Sequence, residues 1–186
     1  MSLSNNGDKT KSENYDSAVI VALGGNLAVT ADAQMDILRA ALDEFSKCGL
    51  GVLRRSSFWC SAAWPDPSQP EYINAVALVE TTLSPEDALT RLHQIEARFG
   101  RARSEVNAAR TLDLDLIAYG RLLRAEAPIL PHPRAAERLF VMGPLAEIAP
   151  SWRHPVNGRT AAELARGASV GCDAKPVPAS AATPNP

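Results

Sequence analysis

The run Arg110-Thr111-Leu112-Asp113-Leu114-Asp115-Leu116 constrains this chain more than any other stretch. Its apolar and polar residues alternate with period two, which predicts a β-strand with two unlike faces. Leu112, Leu114 and Leu116 point into a core, while Asp113 and Asp115 share the opposite face. Two steps along a strand set their Cα atoms about 6.5–7 Å apart. Neighbouring carboxylates repel each other unless positive charge stands beside them. A hard divalent cation carrying phosphates answers that need, and Mg²⁺ usually takes only one or two carboxylates from a protein. An antiparallel strand whose polar face simply meets water would show the same alternation.

The residues leading into this strand favour the first reading. Arg98, Arg101, Arg103 and Arg110 precede or open it, against the single acid Glu105. Arginine binds phosphate oxygens bidentately and keeps its charge. Carboxylates to hold a cation, with guanidiniums to meet the remaining phosphate charge, are what a metal–triphosphate site requires. No G-x-x-x-x-G-K-[ST] motif is present, so a P-loop is excluded. Gly24-Gly25-Asn26 lacks the spacing of a dinucleotide fingerprint and reads as a tight turn where backbone can approach another group.

Bulk properties narrow the class. The 186 residues carry 19 Lys+Arg and 21 Asp+Glu, a balance that gives no general attraction to nucleic acid or membranes. Cys48, Cys60 and Cys172 form no CxxC pair, which predicts reduced thiols in a cytoplasmic protein rather than a disulfide framework or zinc site. No apolar run nears the roughly 20 residues that cross a bilayer. The polar stretch from Ser2 to Asp16 lacks the core of a signal peptide.

Three regions are expected: a disordered segment over 1–17, a single folded domain over 18–168 and a disordered Pro/Ala-rich tail over 169–186. Within the domain, residues 18–23 are a buried strand. Thr30 or Asp32 caps a helix reaching Phe45, with Met35, Leu38, Leu42 and Phe45 on its inner stripe. Residues 52–60 read as a second strand and 72–81 as a third. Ser84-Pro85-Glu86-Asp87 is a strong helix start, and Gly100 the stop. With the Asp strand this order is βαββαβ, an α+β, ferredoxin-like core. Its antiparallel sheet has both helices on one face, leaving the other side for the active site. Helical additions follow: residues 140–148, then a helix opened by the capping box Thr160-Ala161-Ala162-Glu163. Leu122-Leu123 is expected to pair briefly, and the segment around His132 to be extended.

Other residues invite chemistry. Tyr72 and Asn74 share a strand face, where an aromatic plane beside an amide suits a flat heterocycle. His132 lies between Pro131 and Pro133, a rigid setting that can aim an imidazole. Arg138 near Phe140 pairs a phosphate binder with a ring, though Phe140 fits a core equally well. Trp64, in a Pro-rich loop, reads as a lid residue or as a plug. His93 and Glu96, at i and i+3, read as solvated helix surface.

Taken together, these pieces resemble the 6-hydroxymethyl-7,8-dihydropterin pyrophosphokinases of folate synthesis, from about Val19 to Leu164. The matching motifs are Ala22-Leu23-Gly24-Gly25-Asn26, the run from Gln69 to Ala75, Phe99-Gly100-Arg101-Ala102-Arg103, Arg110-Thr111-Leu112-Asp113-Leu114-Asp115, Pro131-His132-Pro133 and Arg138-Leu139-Phe140. The resemblance implies transfer of pyrophosphate from ATP to the pterin's hydroxymethyl group, leaving AMP. It implies two Mg²⁺ ions on Asp113 and Asp115, with Arg101 and Arg110 steadying the transferring charge. It places Arg103, His132 and Arg138 on ATP, with Glu96 and His93 near the nucleotide. On the pterin side it places Tyr72 and Phe140 as a sandwich, Asn74 and the stretch from Ser61 to Trp64 on the edge, and Asn26 in the substrate-side turn. Residues 101–110 are expected to close over ATP. The family's usual Trp-Gly-Pro before the Asp strand is replaced by Asn107-Ala108-Ala109. The implied partners are ATP and the pterin alone, with no nucleic acid, membrane or protein partner. A metabolite-sensing or RNA-binding module would lack a use for the Asp pair, and an R/K-G-F-G-F-V-like run is absent. A two-metal hydrolase would want more ligands on this face.

Overall fold

Val19, Val21 and Leu23 on the first strand point to one core, and Ile20 and Ala22 to another. The computed structural model describes residues 15–63, 66, 68–100 and 110–178. That first strand, β1 (Val19–Gly25), is followed by α1 (Ala31–Lys47), β2 (Gly51–Arg55), β3 (Trp59–Ser61), β4 (Tyr72–Glu80), α2 (Pro85–Arg98) and β5 (Asp113–Tyr119). Then come a 3₁₀ turn (Ala135–Glu137), α3 (Leu139–Ile148), α4 (Ala161–Arg166) and a short β6 (Lys175–Pro176). The strands form one antiparallel sheet in the order β5-β1-β4-β3-β6, with β2 also on β4. This is the expected α+β, ferredoxin-like arrangement with C-terminal helices added.

The helix starts follow from their caps. Thr30 Oγ1 accepts from Ala33 N, and Ser84 Oγ from Asp87 N, each 3.1 Å away. Thr160 and Glu163 complete a reciprocal capping box. Such caps contribute about 1 kcal/mol each. Leu38, Phe45, Leu92 and Ile95 bring α1 and α2 onto one sheet face, against Leu112, Leu114 and Leu116 of the Asp strand. Met35 and Leu42 pack at the margin, and Gln34 and Ala41 take the inner positions instead.

The opposite face is not free along its whole length. Met142, Leu145, Trp152 and Leu164, from α3, α4 and the chain between them, pack on Ile20, Val76 and Leu78. The active-site side is therefore shared between helices and an open end of the sheet. A bulge in β5 sets the boundary: Leu116 pairs with Val21 and Ala118 with Ile20, so Ile117 is the extra residue. The Ile117 carbonyl accepts from His132 N at 2.8 Å, which ties the downstream loop to the Asp strand.

Three further expectations are corrected. The strand expected over 52–60 is interrupted: β2 and β3 pair in succession with β4, and between them the ladder is irregular at Ser56, whose Oγ accepts from Val76 N at 3.0 Å. Arg124 with Leu130, not Leu122-Leu123, makes the short pairing downstream. The segments expected to be disordered are in part built into the fold. Tyr15 packs on the second core, and β6 pairs with β3.

Candidate active site

The cavity floor is made of small residues. On β1, Gly24 pairs with Asp113 on one side and Asn74 on the other, and Ala22 pairs with Asp115. A Cβ at Gly24 would stand 3.2 Å from Asn74 Oδ1, so bare backbone keeps the amide and the carboxylates level around one depression. The resulting cavity is about 240 Å³ and is lined by Ser61, Tyr72, Asn74, Arg110, Asp113, Asp115, His132, Arg138 and Phe140. These nine expected site residues converge from β3, β4, β5 with the residues just before it, the loop that carries His132, and the start of α3.

One wall is polar and ionic. Arg110 Nη1 donates to Asp113 Oδ2 at 2.7 Å. Across from the acids stand His132, Arg138 and Arg134. Among the described residues no third acid, Cys or His joins the two carboxylates in a metal-binding group. Two hard oxygen donors facing a cationic pocket fit Mg²⁺ that takes its other ligands from water and phosphate. The rest of the lining suits a ring. Tyr72 and Phe140 flank it, and buried Asn74 donates from Nδ2 to Ser61 Oγ at 3.1 Å. The Arg138 guanidinium lies 5.6 Å from the centre of the Phe140 ring.

His132 is held neutral. Burial lowers its pKa most; Asp115 pulls it up, and Arg138 and Arg134 push it down again. Its Nδ1 accepts from Arg134 N at 3.3 Å, which leaves the proton on Nε2. Because the folded state disfavours imidazolium, this group's contribution to stability is present above the ordinary value near 6.5 and declines as pH falls below it. NMR titration is expected to give His132 a midpoint below that of an exposed histidine, and Asp115→Asn should lower it further. A midpoint that rises in Asp115→Asn would contradict this electrostatic picture.

Two expected contacts are placed elsewhere. Asn26 is buried outside the cavity, where it knots three segments. Its Nδ2 donates to Pro70 O at 3.1 Å, its Oδ1 accepts from Arg110 N at 3.0 Å, and its own N donates to Arg110 O at 2.9 Å. Glu96 is also fully buried, and its Oε1 accepts from Leu114 N at 2.7 Å. The expectation of a nucleotide contact is replaced by one of support: β5 is an edge strand, and Glu96 satisfies an outward amide between the two aspartates. His93 is half-buried on α2, outside the cavity. Trp64, Arg101 and Arg103, with the closing segment and Asn107-Ala108-Ala109, lie outside the described residues.

Sequence reasoning missed Arg134 and Gln34. Arg134 was signalled by its place two residues after His132. Gln34 is buried on the first turn of α1; its Nε2 donates to Thr111 O at 2.8 Å and its Oε1 accepts from Ala28 N at 3.2 Å. A side chain at Gly25 would overlap that Gln34 amide, which explains the second glycine of the turn.

A carboxylate pair, cationic side chains and an aromatic ring beside an amide lie around one depression, an arrangement whose chemistry suits a polyphosphate next to a flat heterocycle. The family model described as 7,8-dihydro-6-hydroxymethylpterin-pyrophosphokinase (HPPK) matches residues 20–150. The 2-amino-4-hydroxy-6-hydroxymethyldihydropteridine pyrophosphokinase of Synechocystis is 44% identical over 147 residues, covering 78% of this chain and 73% of its own length. The Pseudomonas aeruginosa protein of the same name is 38% identical over 148 residues, covering 78% and 88%. A crystal structure of Plasmodium falciparum HPPK-DHPS shares the fold with a TM-score of 0.62 at 13% identity; 80% of this chain matches 40% of that one. The chain belongs to the HPPK family. It is a diphosphotransferase of folate biosynthesis. Among the described residues, no helix is long and apolar enough to cross a membrane.

Proposed function

We propose that this site transfers the terminal pyrophosphate of ATP, bound with Mg²⁺, to the hydroxymethyl oxygen of 6-hydroxymethyl-7,8-dihydropterin. The observation that carries the reading is the convergence of Asp113 and Asp115 with Tyr72, Asn74 and Phe140 on one cavity. The alcohol oxygen bonds to the β-phosphorus, the bond from that phosphorus to the bridging α-β oxygen breaks, and AMP leaves. The alcohol's proton is released to solvent, so that ATP and the alcohol give AMP, the pterin diphosphate and a proton.

Such chemistry depends on alignment and charge stabilisation more than on covalent help. Bound Mg²⁺, two ions on the family's pattern, would be held by Asp113 and Asp115 and would neutralise phosphate charge. Tyr72 and Phe140 sandwich the pterin, and Asn74 with Ser61 reads its edge. Arg138 and neutral His132, with its Nε2 proton, donate to the nucleotide. Arg110, paired with Asp113 at 2.7 Å, would meet the phosphate charge beside that cation. On the family's pattern Arg101 would steady the transferring charge, Arg103 would contact ATP and Trp64 would belong to the pterin's edge. Incubation with ATP, Mg²⁺ and the hydroxymethyl pterin is expected to yield AMP and the pterin diphosphate in equal amounts. ADP as the product would overturn the reading.

A further inference from the structure

We infer that residues 169–177 form a strap that fixes the width of the pterin end of the cavity, with Gly171 and Asp173 as positioning residues. The inference rests on the pterin reading of that end and deepens it. The strap lies beyond the region matched by the family model, which ends at residue 150.

Its contacts join the Phe140 side of that end to the Ser61–Ala62 side. On one side, Ser169 N and Val170 N donate to Glu137 O at 3.0 Å, and Leu139 N donates to Val170 O at 2.9 Å. These bonds seat the chain against the start of α3, beside Phe140. There Gly171 has φ +65°, and a Cβ on it would overlap the Phe140 ring. Bare backbone in a left-handed conformation is therefore what lets the strap rest on that ring. Two residues later the strap reaches the other wall, where Asp173 Oδ2 accepts from Ala62 N at 2.5 Å. Lys175 then pairs with Cys60, and Val177 N donates to Phe58 O at 2.8 Å. One short segment thus bonds to the Phe140 wall and to the Ser61–Ala62 wall. Dispersion contacts lose a quarter to a half of their strength over a gap of about 0.5–1 Å, so wall spacing governs how well a ring is held. Neither residue touches the polyphosphate wall.

Steady-state kinetics of the full chain, varying ATP and pterin separately, test this. Asp173→Ala is expected to raise the pterin KM about five- to tenfold, the scale of one hydrogen bond, with the ATP KM within about twofold. Asp173→Asn keeps an acceptor oxygen and should restore most of the loss. Gly171→Ala gives an independent reading, because it crowds the ring without removing a hydrogen bond; it should shift the same constant. An unchanged pterin KM in both Asp173→Ala and Gly171→Ala, or an equal rise in both KM values, would overturn the strap. A wild-type chain with no pterin-dependent AMP release would instead strike the activity itself, and the strap with it.

Discussion

Asp113→Ala and Asp115→Ala should each lower kcat by about 10³-fold or more while the protein stays folded. The size follows from what the carboxylates do. Losing one group that stabilises developing charge in a water-poor site costs about 10²–10³, and a lost cation removes more than one such contact at once. The fold should survive for reasons visible in the structure. Asp113 is about a quarter exposed, and its ion pair with Arg110 is also partly exposed. Pairs of that kind contribute roughly 0–1 kcal/mol. The apolar side of β5 stays intact, with Leu112, Leu114 and Leu116 buried. Circular dichroism and thermal melting should therefore match wild type in variants that no longer turn over. Near-normal turnover in either variant would remove the metal assignment.

Arg110→Ala carries the second large effect. Its backbone is fixed from both sides by Asn26, and its guanidinium enters the cavity next to Asp113. A charge placed that firmly acts on the transferring phosphates, so kcat should fall about 10²–10³-fold. The pterin KM should move only a few-fold, since Tyr72, Asn74 and Phe140 rather than Arg110 are the groups proposed to hold the ring. Lysine should rescue poorly, because an ammonium cannot offer the planar bidentate fork. An Arg110→Ala enzyme with unchanged kcat would contradict the role, whatever its effect on KM.

The strand at the centre of the site was legible because its alternation is local: three leucines and two aspartates need no distant partner to declare their faces. The same holds for the caps at Thr30, Ser84 and Thr160. What escaped sequence reasoning was set by distant partners. The break between β2 and β3 depends on Ser56 bonding to β4. Glu96 looks like helix surface beside His93, yet the open edge of β5 draws its carboxylate inward to Leu114. The Pro- and Ala-rich C-terminus reads as a disordered tail because it carries little core of its own. Its order comes instead from β3, which leaves an edge for β6 to cover. Period-two spacing put Tyr72 with Asn74 and Asp113 with Asp115 on shared faces, whereas Ser61 and Phe140 reach the same cavity through packing that no local pattern announces.

The most direct test of the central claim is calorimetric binding of ATP to the wild-type chain and to Asp113→Asn/Asp115→Asn, each with and without Mg²⁺. The wild type should bind the Mg²⁺ complex at least tenfold more tightly than metal-free ATP, and the double variant should lose that difference. Equal Mg²⁺ enhancement in both proteins would show that the two aspartates do not seat the cation.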